Sequence, residues 1–396
     1  MNIRLIPTKL SGTIAAIPSK SFAHRLLIAA ALADRPTVVH CPLLSKDIAA
    51  TIGALTDLGA KIDIAGENIT VIPIRERETP IVHCGESGTT ARLLLPIAAA
   101  LTDGATIAGE GSLPGRPFDA LCCAMAQNGC VFSSQTLPVA FVGRLQPGTY
   151  EISGNISSQY ISGLLMALPL LNSEFRIPNS ELHLTSPLES SGYVDMTVEV
   201  LATFGITIQK TPSGYAVPGA QTYHSPGYVA VEGDWSNAAF WLAAGVKVTG
   251  LNENSLQKDR RFAEEMHKGE INAAEIPDLV PILAVYAAGR VGTTCITNIH
   301  RLRLKESDRV ASVAAMLRAL GGDVEAGENE LIIRGRGRLA GGTVEGQNDH
   351  RIVMAAAIAS CFSEDEVVIT GAEAVEKSYP NFFSDFKTLG GRAYVI

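Results

Sequence analysis

Residues 55–64 read LTDLGAKIDI, an amphipathic run that ends at Gly59 and continues directly into a β-like stretch. Similar joints recur along the chain at residues 125–132 (MAQNGCVF), 201–208 (LATFGITI), 316–324 (MLRALGGDV) and 386–396 (FKTLGGRAYVI), with a weaker copy at 266–271 (MHKGEI). This pattern is typical of a helix that ends at a glycine in the left-handed conformation and is followed at once by a strand. The repetition indicates that the chain is built from similar α/β units.

Six glycines mark these joints: Gly59, Gly129, Gly205, Gly269, Gly321 and Gly390. Dividing the 396 residues by six gives a repeat of about 66 residues. We therefore predict six units, three in each of two domains. The interval from Gly269 to Gly321 is the shortest, and residues 269–275 leave too little room before Ile276 for the strand pair of the other units. One unit is therefore predicted to be shortened.

The composition limits the possible classes of protein. The chain is 46% hydrophobic, only 18% charged and rich in glycine, which excludes a disordered chain or a long coiled coil. No apolar run approaches the ~18 residues of a membrane span, and residues 1–7 do not resemble a secretion signal. We therefore expect a cytoplasmic protein that does not act on membranes. Seven cysteines without a Cys-x-x-Cys pair predict neither disulfides nor a metal site, and the net charge of -8 argues against nucleic acid.

Four segments place small polar residues before an apolar helix, and three of them add a cation. They are residues 18–28 (PSKSFAHRLLI), 85–93 (GESGTTARL), 153–160 (SGNISSQY) and 348–355 (NDHRIVMA). The free N–H groups and the dipole at a helix N-terminus attract anions. An ordinary helix cap with surface cations is the alternative for any one segment. Together, the four predict a shared anion-binding cleft.

Ionic side chains are most concentrated at residues 301–310 (RLRLKESDRV). A helix that begins at about Lys305 would put Lys305 and Arg309 on one face, with Glu306 beside them. The alternative is a solvated helix with salt bridges. Asp278 is a lone carboxylate before an apolar run, and is either a helix N-cap or a catalytic group. Dinucleotide-binding, phosphate-loop, zinc-peptidase and hydrolase motifs are lacking in the sequence.

Seven motifs, in order along nearly the whole chain, resemble the 5-enolpyruvylshikimate-3-phosphate synthase family. They lie at residues 19–25, 87–92, 115–117, 157–159, 305–309, 348–351 and 377–380. The resemblance implies the two-domain enolpyruvyl transferase fold, an inside-out α/β barrel of six βαβαββ-type units. It also implies that residues 1–18 and 233–396 form one domain, with the acid/base cluster and phosphoenolpyruvate cations. Residues 19–232 would form the other, with most of the shikimate 3-phosphate site, and the two would close on substrate.

The implied reaction transfers the carboxyvinyl group of phosphoenolpyruvate to the 5-hydroxyl of shikimate 3-phosphate and releases phosphate through a tetrahedral intermediate. Asp278, Glu306 and Lys20 would carry the proton transfers. The residues implied to bind shikimate 3-phosphate are Lys20, Ser21, Arg25, Ser157, Ser158, Gln159, Ser190, Tyr193, Asp278, Arg301 and Lys305. Those implied to bind phosphoenolpyruvate are Lys20, Gly88, Arg116, Gln159, Arg309, His350, Arg351 and Lys377. The resemblance implies a monomer that needs no cofactor and no metal.

The chain departs from the family pattern at several points. Glu86 stands where many members have Asn, Arg301 stands where some members have Asn, and one unit is shortened. The shortened unit keeps open the alternative of a catalytically silent homologue that binds anionic metabolites. A second alternative is the sister enzyme that transfers enolpyruvate to UDP-N-acetylglucosamine. That enzyme would be expected to carry a Lys-Asn pair where this chain has Lys20-Ser21, and a loop cysteine near Arg116.

Overall fold

The computed structural model describes residues 1–75, 80–171 and 179–396. The strands in this part of the chain are β1 (Ile3–Ile6), β2 (Thr13–Ala15), β3 (Thr37–His40), β4 (Lys61–Ala65), β5 (Asn68–Ile72), β6 (Ile81–His83), β7 (Gly104–Ala108), β8 (Val131–Phe132), β9 (Val139–Val142), β10 (Thr149–Ile152), β11 (Asn179–Leu184), β12 (Gln209–Thr211), β13 (Gly214–Pro218), β14 (Tyr228–Ala230), β15 (Lys247–Thr249), β16 (Glu270–Asn272), β17 (Val291–Thr297), β18 (Asp323–Ala326), β19 (Glu330–Arg336), β20 (Gly342–Glu345), β21 (Val367–Thr370) and β22 (Arg392–Val395).

The α-helices are α1 (Lys20–Leu32), α2 (Lys46–Asp57), α3 (Gly88–Leu101), α4 (Asp119–Ala126), α5 (Ser158–Ala167), α6 (Ser191–Thr203), α7 (Trp235–Ala243), α8 (Phe262–Glu265), α9 (Val280–Ala288), α10 (Arg309–Ala319), α11 (His350–Ala359) and α12 (Phe382–Thr388). Short 3₁₀ helices occur at Leu113–Gly115, Leu168–Leu170, Lys258–Arg261, Pro277–Leu279, His300–Leu304, Ser360–Phe362 and Ala372–Lys377. No α-helix among the described residues is both long and apolar enough to cross a membrane.

The chain divides into two compact units. Unit 1 consists of Met1–Ser19 and Glu232–Ile396, and unit 2 consists of Lys20–Val231. The chain passes from unit 1 to unit 2 after Ser19 and returns at Glu232. Two assignments stay predictions: the phosphoenolpyruvate cations to the domain of residues 1–18 and 233–396, and most of the shikimate 3-phosphate site to the domain of residues 19–232.

Unit 2 contains three four-stranded sheets of one design. Their strand orders are β14-β3-β5-β4, β6-β7-β9-β8 and β10-β11-β13-β12. In each sheet the first and second strands pair in parallel. The second and third strands, and the third and fourth strands, pair antiparallel. Two of the sheets follow the chain order βαβαββ. The third takes its first strand, β14, from the end of the unit.

Unit 1 contains two sheets of the same design and one reduced sheet. The full sheets have the orders β16-β17-β19-β18 and β20-β21-β1-β22, and β1 comes from the start of the chain. The reduced sheet pairs only β2 with β15, in parallel, among the described strands. It lacks the antiparallel pair that completes the other sheets. This confirms the six-unit architecture and the shortened unit, because residues 269–275 hold only β16, the first strand of the next sheet.

The helix–glycine–strand joints are confirmed at five of the six predicted positions. Gly59, Gly129, Gly205, Gly321 and Gly390 have φ values of 99°, 99°, 78°, 76° and 94°. Gly269 lies outside this left-handed region, so the prediction for the weaker copy was wrong. The reason is topological. The shortened unit has no third strand to which the chain must turn back after α8.

The parallel strands determine where the predicted site residues lie. In parallel strands joined by helices, the segments after the strands leave from one edge of the sheet, the usual ligand-binding edge of α/β folds. The segments after β6, β10, β16 and β20 lead to Gly88, Ser157, Asp278 and His350. Helices at these positions are buried on most faces, and all ten residues of α11 are buried. The predicted site residues of these four segments therefore lie at, or just before, the start of a buried helix.

Candidate functional site

Asp278 in unit 1 is the centre of a charged cluster. It lies in the 3₁₀ helix just before α9. Its Oδ1 accepts a hydrogen bond from Arg309 Nη1 at 2.8 Å and lies 3.5 Å from Lys305 Nζ. Its Oδ2 accepts from Arg351 Nη2 at 3.0 Å. Leu279 occupies the cap position of α9, so the helix-cap alternative for Asp278 was wrong.

The electrostatics keep Asp278 ionised. Burial alone would raise the pKa of its carboxyl, but the charges of Arg351, Lys305 and Arg309 outweigh that effect and hold the pKa well below its usual range. A carboxylate stabilised in this way orients the surrounding cations.

Arg309 is the most enclosed cation of the cluster, with 1% of its side chain exposed. Besides Asp278, it donates from Nη2 to Glu306 Oε2 at 2.6 Å and from Nε to Asp349 Oδ2 at 2.8 Å. Although burial opposes the charged form, these carboxylates raise the pKa of Arg309 above its usual value. The guanidinium fork therefore holds three carboxylates in fixed positions.

The segment from Lys305 to Asp308 is not helical, so the predicted helix from about Lys305 was wrong. The 3₁₀ helix ends at Leu304, and α10 begins only at Arg309. The physical reason is the cap: the Asp308 side chain accepts from Ala311 N at 3.0 Å, which starts the helix one residue later. Lys305 is nevertheless brought to the same carboxylate as Arg309. Burial lowers the pKa of Lys305, although Asp278 opposes this effect.

Three further predicted residues of unit 1 lie near helix ends. Lys377 donates from Nζ to the carbonyl of Asn348 at 2.8 Å, in the turn that precedes α11. His350 is the buried first residue of α11. Arg301, in the 3₁₀ helix at His300–Leu304, donates from Nη2 to the carbonyl of Ala274 at 2.8 Å. Lys377 and His350 therefore flank one turn, whereas Arg301 supports the segment before Asp278.

In unit 2, Lys20 is the first residue of α1 and forms an ion pair with α2. Its Nζ lies 2.7 Å from Asp47 Oδ2, and both side chains are largely buried. Asp47 was not among the predicted site residues. Its position in the first turn of α2 places a carboxylate at a helix N-terminus, which is a favourable location for it. The ion pair holds the ammonium group of Lys20 at the start of α1.

Arg25 is used mainly to join helices. It donates from Nε to Thr197 Oγ1 at 2.7 Å, from Nη1 to the carbonyl of Ser21 at 2.7 Å, and from Nη2 to Ser162 Oγ and the carbonyl of Tyr193 at 3.3 and 3.0 Å. Burial lowers its pKa to about 10. Four of its five N–H groups are directed at protein acceptors in the described structure. Arg25 therefore joins α1 to α5 and α6, the helices that carry Ser158, Gln159 and Tyr193. Most of its N–H groups are used for this connection and not directed at a ligand.

Gln159 is held by two neighbours. Its Oε1 accepts from Arg92 Nη1 at 3.0 Å, and its Nε2 donates to Thr89 Oγ1 at 2.8 Å. Ser157 caps α5 by accepting from the backbone N–H of Gln159, and Ser158 begins the helix. Arg92 was not assigned to the site from the sequence. Since Arg92 also lies over the ring of Tyr160, it fixes the start of α5 against α3.

Gly88 lies directly against Arg116. A Cβ atom at Gly88 would stand 2.5 Å from Arg116 Nη1 and 2.8 Å from its Cζ. A side chain at this position would therefore displace the guanidinium. The space that the glycine leaves is occupied here by Arg116. The two predicted phosphoenolpyruvate residues of this pair are thus in contact.

Ser190 adopts a strained backbone conformation before α6, with φ of 55° and ψ of 43°. Non-glycine residues in this region cost free energy and are often found at functional sites. Tyr193, in the first turn of α6, accepts bonds at its carbonyl from Arg25 Nη2 and Thr197 Oγ1. The strained residue therefore directly precedes the helix turn that contacts Arg25.

The structure adds Asp47, Arg92 and Asp349 to the predicted residues. Asp349 is fully buried, receives Arg309 and caps α11 by accepting from Arg351 N at 3.0 Å. The position of Asp349 just before a predicted helix could have identified it from the sequence.

Two departures from the family pattern have a structural role here. Arg301 donates to the carbonyl of residue 274, and the carboxylate of Glu86 occupies the space that a side chain at Gly111 would need.

The two sets of residues suit polyanionic ligands. Unit 2 presents Lys20, Arg92 and Arg116 around helix N-termini. Unit 1 presents Lys305 and Arg351 at the carboxylate of Asp278, and Lys377 at the turn before α11. Arginine forks and lysine ammonium groups in partly buried settings bind phosphates and carboxylates strongly. Carboxylates among them provide groups for proton transfer.

Comparisons with known proteins agree on one family. The family model described as EPSP synthase (3-phosphoshikimate 1-carboxyvinyltransferase) matches residues 5–269 and 247–386. The chain is 39% identical to the 3-phosphoshikimate 1-carboxyvinyltransferase of Clostridium acetobutylicum, covering 98% of this chain and 97% of that protein. It is 38% identical to the protein of the same name from Clostridium novyi, with 98% of each chain covered. A solved structure of EPSP synthase from Acinetobacter baumannii matches with a TM-score of 0.81 at 22% identity, covering 100% of both chains. That match confirms the predicted fold.

Proposed function

The chain belongs to the EPSP synthase (3-phosphoshikimate 1-carboxyvinyltransferase) family, and from this premise we propose that it transfers the enolpyruvyl group of phosphoenolpyruvate to the 5-hydroxyl of shikimate 3-phosphate. The products are 5-enolpyruvylshikimate 3-phosphate and inorganic phosphate, on the route to chorismate and the aromatic amino acids. The observation that carries the proposal is the Asp278 cluster, where a carboxylate with only 16% of its side chain exposed is shared by Lys305, Arg309 and Arg351. Cations so arranged can hold anionic substrates beside an acid or base.

The proposed reaction has two stages. In the first, the 5-hydroxyl oxygen bonds to C2 of phosphoenolpyruvate, the hydroxyl loses its proton and C3 gains one. In the second, C3 loses a proton, the bond between C2 and the phosphate oxygen breaks, and phosphate leaves. The scheme requires groups that accept and donate protons, and cations that stabilise the phosphate as charge develops on it.

Asp278, Glu306 and Lys20 are the residues that we assign to proton transfer. Asp278 is ionised, so its carboxylate can accept a hydrogen bond from the sugar hydroxyl. Its cations also lower its basicity, so we propose that the proton is transferred as those cations engage the anionic groups of the substrates. Glu306 lies 2.6 Å from Arg309 and is assigned to the exchange at C3. Lys20 takes part in binding and shares in the transfers.

The remaining assignments follow chemical type. Shikimate 3-phosphate is proposed to bind at Lys20, Ser21, Arg25, Ser157, Ser158, Gln159, Ser190, Tyr193, Asp278, Arg301 and Lys305. Phosphoenolpyruvate is proposed to bind at Lys20, Gly88, Arg116, Gln159, Arg309, His350, Arg351 and Lys377. Because Arg25 donates to four protein acceptors, its proposed contribution is mainly to position the serines and Tyr193. We further propose that the protein acts as a cytoplasmic monomer, without a metal, a cofactor or nucleic acid.

Phosphate release tests the proposal. Purified protein with both substrates and a chelator is expected to release phosphate, and neither substrate alone is expected to do so. UDP-N-acetylglucosamine in place of shikimate 3-phosphate tests the sister activity. Phosphate release from phosphoenolpyruvate with UDP-N-acetylglucosamine, but not with shikimate 3-phosphate, would contradict the proposal and favour the sister enzyme. Binding of both substrates without any phosphate release would establish the silent homologue instead.

A further inference from the structure

Four buried side chains of unit 2 form a continuous chain of hydrogen bonds across three helices. His24 Nδ1 on α1 lies 2.6 Å from Thr51 Oγ1 on α2. Thr51 Oγ1 lies 2.6 Å from Thr90 Oγ1 on α3, which donates to Ser87 Oγ at 2.7 Å. Each of the four residues is at most 1% exposed. The predicted mechanism uses none of them.

The direction of every bond in this chain follows from its last member. Thr90 uses its only hydroxyl proton toward Ser87, so it can only accept from Thr51. Thr51 then has no proton left for His24, and His24 must donate from Nδ1. A neutral imidazole that donates from Nδ1 carries a lone pair on Nε2. Nε2 is indeed buried and accepts no hydrogen bond from the described residues.

The surroundings of His24 favour the neutral ring. Burial lowers the pKa of His24 well below its usual value, and the charges of Lys20 and Arg25 on the same helix add to the effect. Asp47 is the carboxylate that faces this end of α1 from α2, and it is paired with Lys20. The electrostatics therefore favour the neutral ring, and the hydrogen-bond directions place its proton on Nδ1.

The chain runs parallel to the ion pair of Lys20. Lys20 and His24 lie one turn apart on α1, and their partners Asp47 and Thr51 lie one turn apart on α2. The two helices are thus joined by two successive cross-links, one ionic and one neutral. From Thr51 the second link continues to Thr90, next to the cap of α3 that Gly88 begins.

We propose that the His24–Thr51–Thr90–Ser87 chain is a positioning device that fixes Lys20 on α1 relative to Gly88 on α3, with His24 acting as the neutral Nδ1–H tautomer. The proposal rests on the proposed function, because Lys20 and Gly88 are assigned there to the substrates. His24 does not itself contact the reacting atoms. It acts through the helix that carries Lys20.

Nitrogen–proton NMR of the ring nitrogens tests the tautomer without substrates, with the His24 signals identified by their loss in His24→Asn. We expect the proton on Nδ1 in the wild-type protein. Thr90→Val removes the acceptor of Thr51, so the Thr51 hydroxyl becomes free to donate to Nδ1. The Nε2–H tautomer is then expected to increase, although Thr90 does not contact His24. A wild-type proton on Nε2, or an unchanged tautomer in Thr90→Val, would overturn the proposal.

Kinetics test the positioning role. Thr51→Val keeps the shape of the side chain and is expected to lower kcat/KM for phosphoenolpyruvate about tenfold, as expected for loss of alignment at a site. Thr51→Ser is expected to recover wild-type kinetics within about twofold, because its hydroxyl restores both bonds. Thr56→Val is the control, since Thr56 lies on the same helix and its exposed hydroxyl donates to the Ile52 carbonyl within that helix.

The kinetic outcomes separate the two proposals. Wild-type kinetics in a folded Thr51→Val protein would overturn the positioning role. If Thr51→Val does not fold, Thr90→Val takes its place, with the same expected loss. Failure of the wild-type protein to release phosphate would overturn the proposed function, and the tautomer measurement would still decide on the hydrogen-bond chain.

Discussion

Arg309 Nη1 donates to Asp278 Oδ1 at 2.8 Å, and this bond joins the start of α10 to the 3₁₀ helix before α9. Arg309 is almost fully buried and also binds Glu306 and Asp349. Its guanidinium therefore sets the separation of three carboxylates, two of which we assign to proton transfer. A planar fork can do this because its N–H groups point in fixed directions.

Replacing Arg309 with lysine is expected to disrupt both the site and the fold of unit 1. A lysine keeps the charge but cannot reach three carboxylates at once, so buried anions would lose their partner. We expect a loss of about 3 kcal/mol in the free energy of unfolding, measured by urea denaturation, and a fall in kcat of about a hundredfold. Arg318→Lys on the same helix is the control, and it is expected to change neither quantity much. Equal effects of the two substitutions would contradict this role.

Glu306→Gln is expected to slow turnover far more than it weakens binding. The amide keeps the size of the side chain and can still accept from Arg309, but it cannot exchange a proton. We expect kcat to fall by about 10²- to 10⁴-fold, with the KM of both substrates changed only a few-fold. The exposed Glu264, changed to glutamine, serves as the control. Wild-type turnover in Glu306→Gln would remove this residue from the mechanism.

Gly88→Ala is expected to weaken the binding of phosphoenolpyruvate. The new methyl group would stand 2.5 Å from Arg116 Nη1, so the guanidinium must move. Steady-state kinetics are expected to show a KM for phosphoenolpyruvate raised about tenfold, with kcat less affected. Gly115→Ala is the matched control, because its added methyl group would meet no atom within 4 Å. A wild-type KM in Gly88→Ala would show that the position of Arg116 does not matter for this substrate.

Asp259 predicts a pH dependence of stability. It is buried and receives a hydrogen bond from Ser236 Oγ at Oδ2. Burial, followed by the negative charge of Asp278, raises its pKa to about 7. Between about pH 4 and pH 7 the folded state therefore holds a proton that the unfolded chain has lost, so the contribution of Asp259 to the free energy of unfolding falls as the pH rises through this window.

Asp259→Asn is expected to remove that dependence. The variant should gain about 2 kcal/mol relative to the wild-type protein between pH 5 and pH 7, because the amide does not ionise. Urea denaturation at both pH values measures the difference. The exposed Asp365, changed to asparagine, is expected to show no such gain. A constant difference between Asp259→Asn and the wild-type protein at both pH values would contradict the raised pKa.

The sequence was most informative where structure is local. Glycines after helices predicted the joints, because a left-handed residue before a strand excludes most other residue types. The short interval after Gly269 predicted the shortened unit, because a strand pair needs a minimum length of chain. Polar residues before apolar runs predicted the starts of α1, α3, α5 and α11.

The sequence was least informative where contacts are distant along the chain. Asp278 meets Lys305, Arg309 and Arg351 from separate elements, and no spacing predicts that meeting. The helix predicted from Lys305 failed because the cap at Asp308 competes with helical periodicity. The use of Arg25 as a connector depends on Thr197 and Ser162, which lie far away in sequence.

The most direct measurement is a phosphorus NMR time course of the purified protein with shikimate 3-phosphate, phosphoenolpyruvate and a chelator. We expect both substrate signals to fall together while inorganic phosphate and one new phosphomonoester appear in equal amounts. Omitting either substrate should leave the spectrum unchanged. Persistence of both substrate signals, under conditions where both ligands are shown to bind, would contradict the proposed enolpyruvyl transfer.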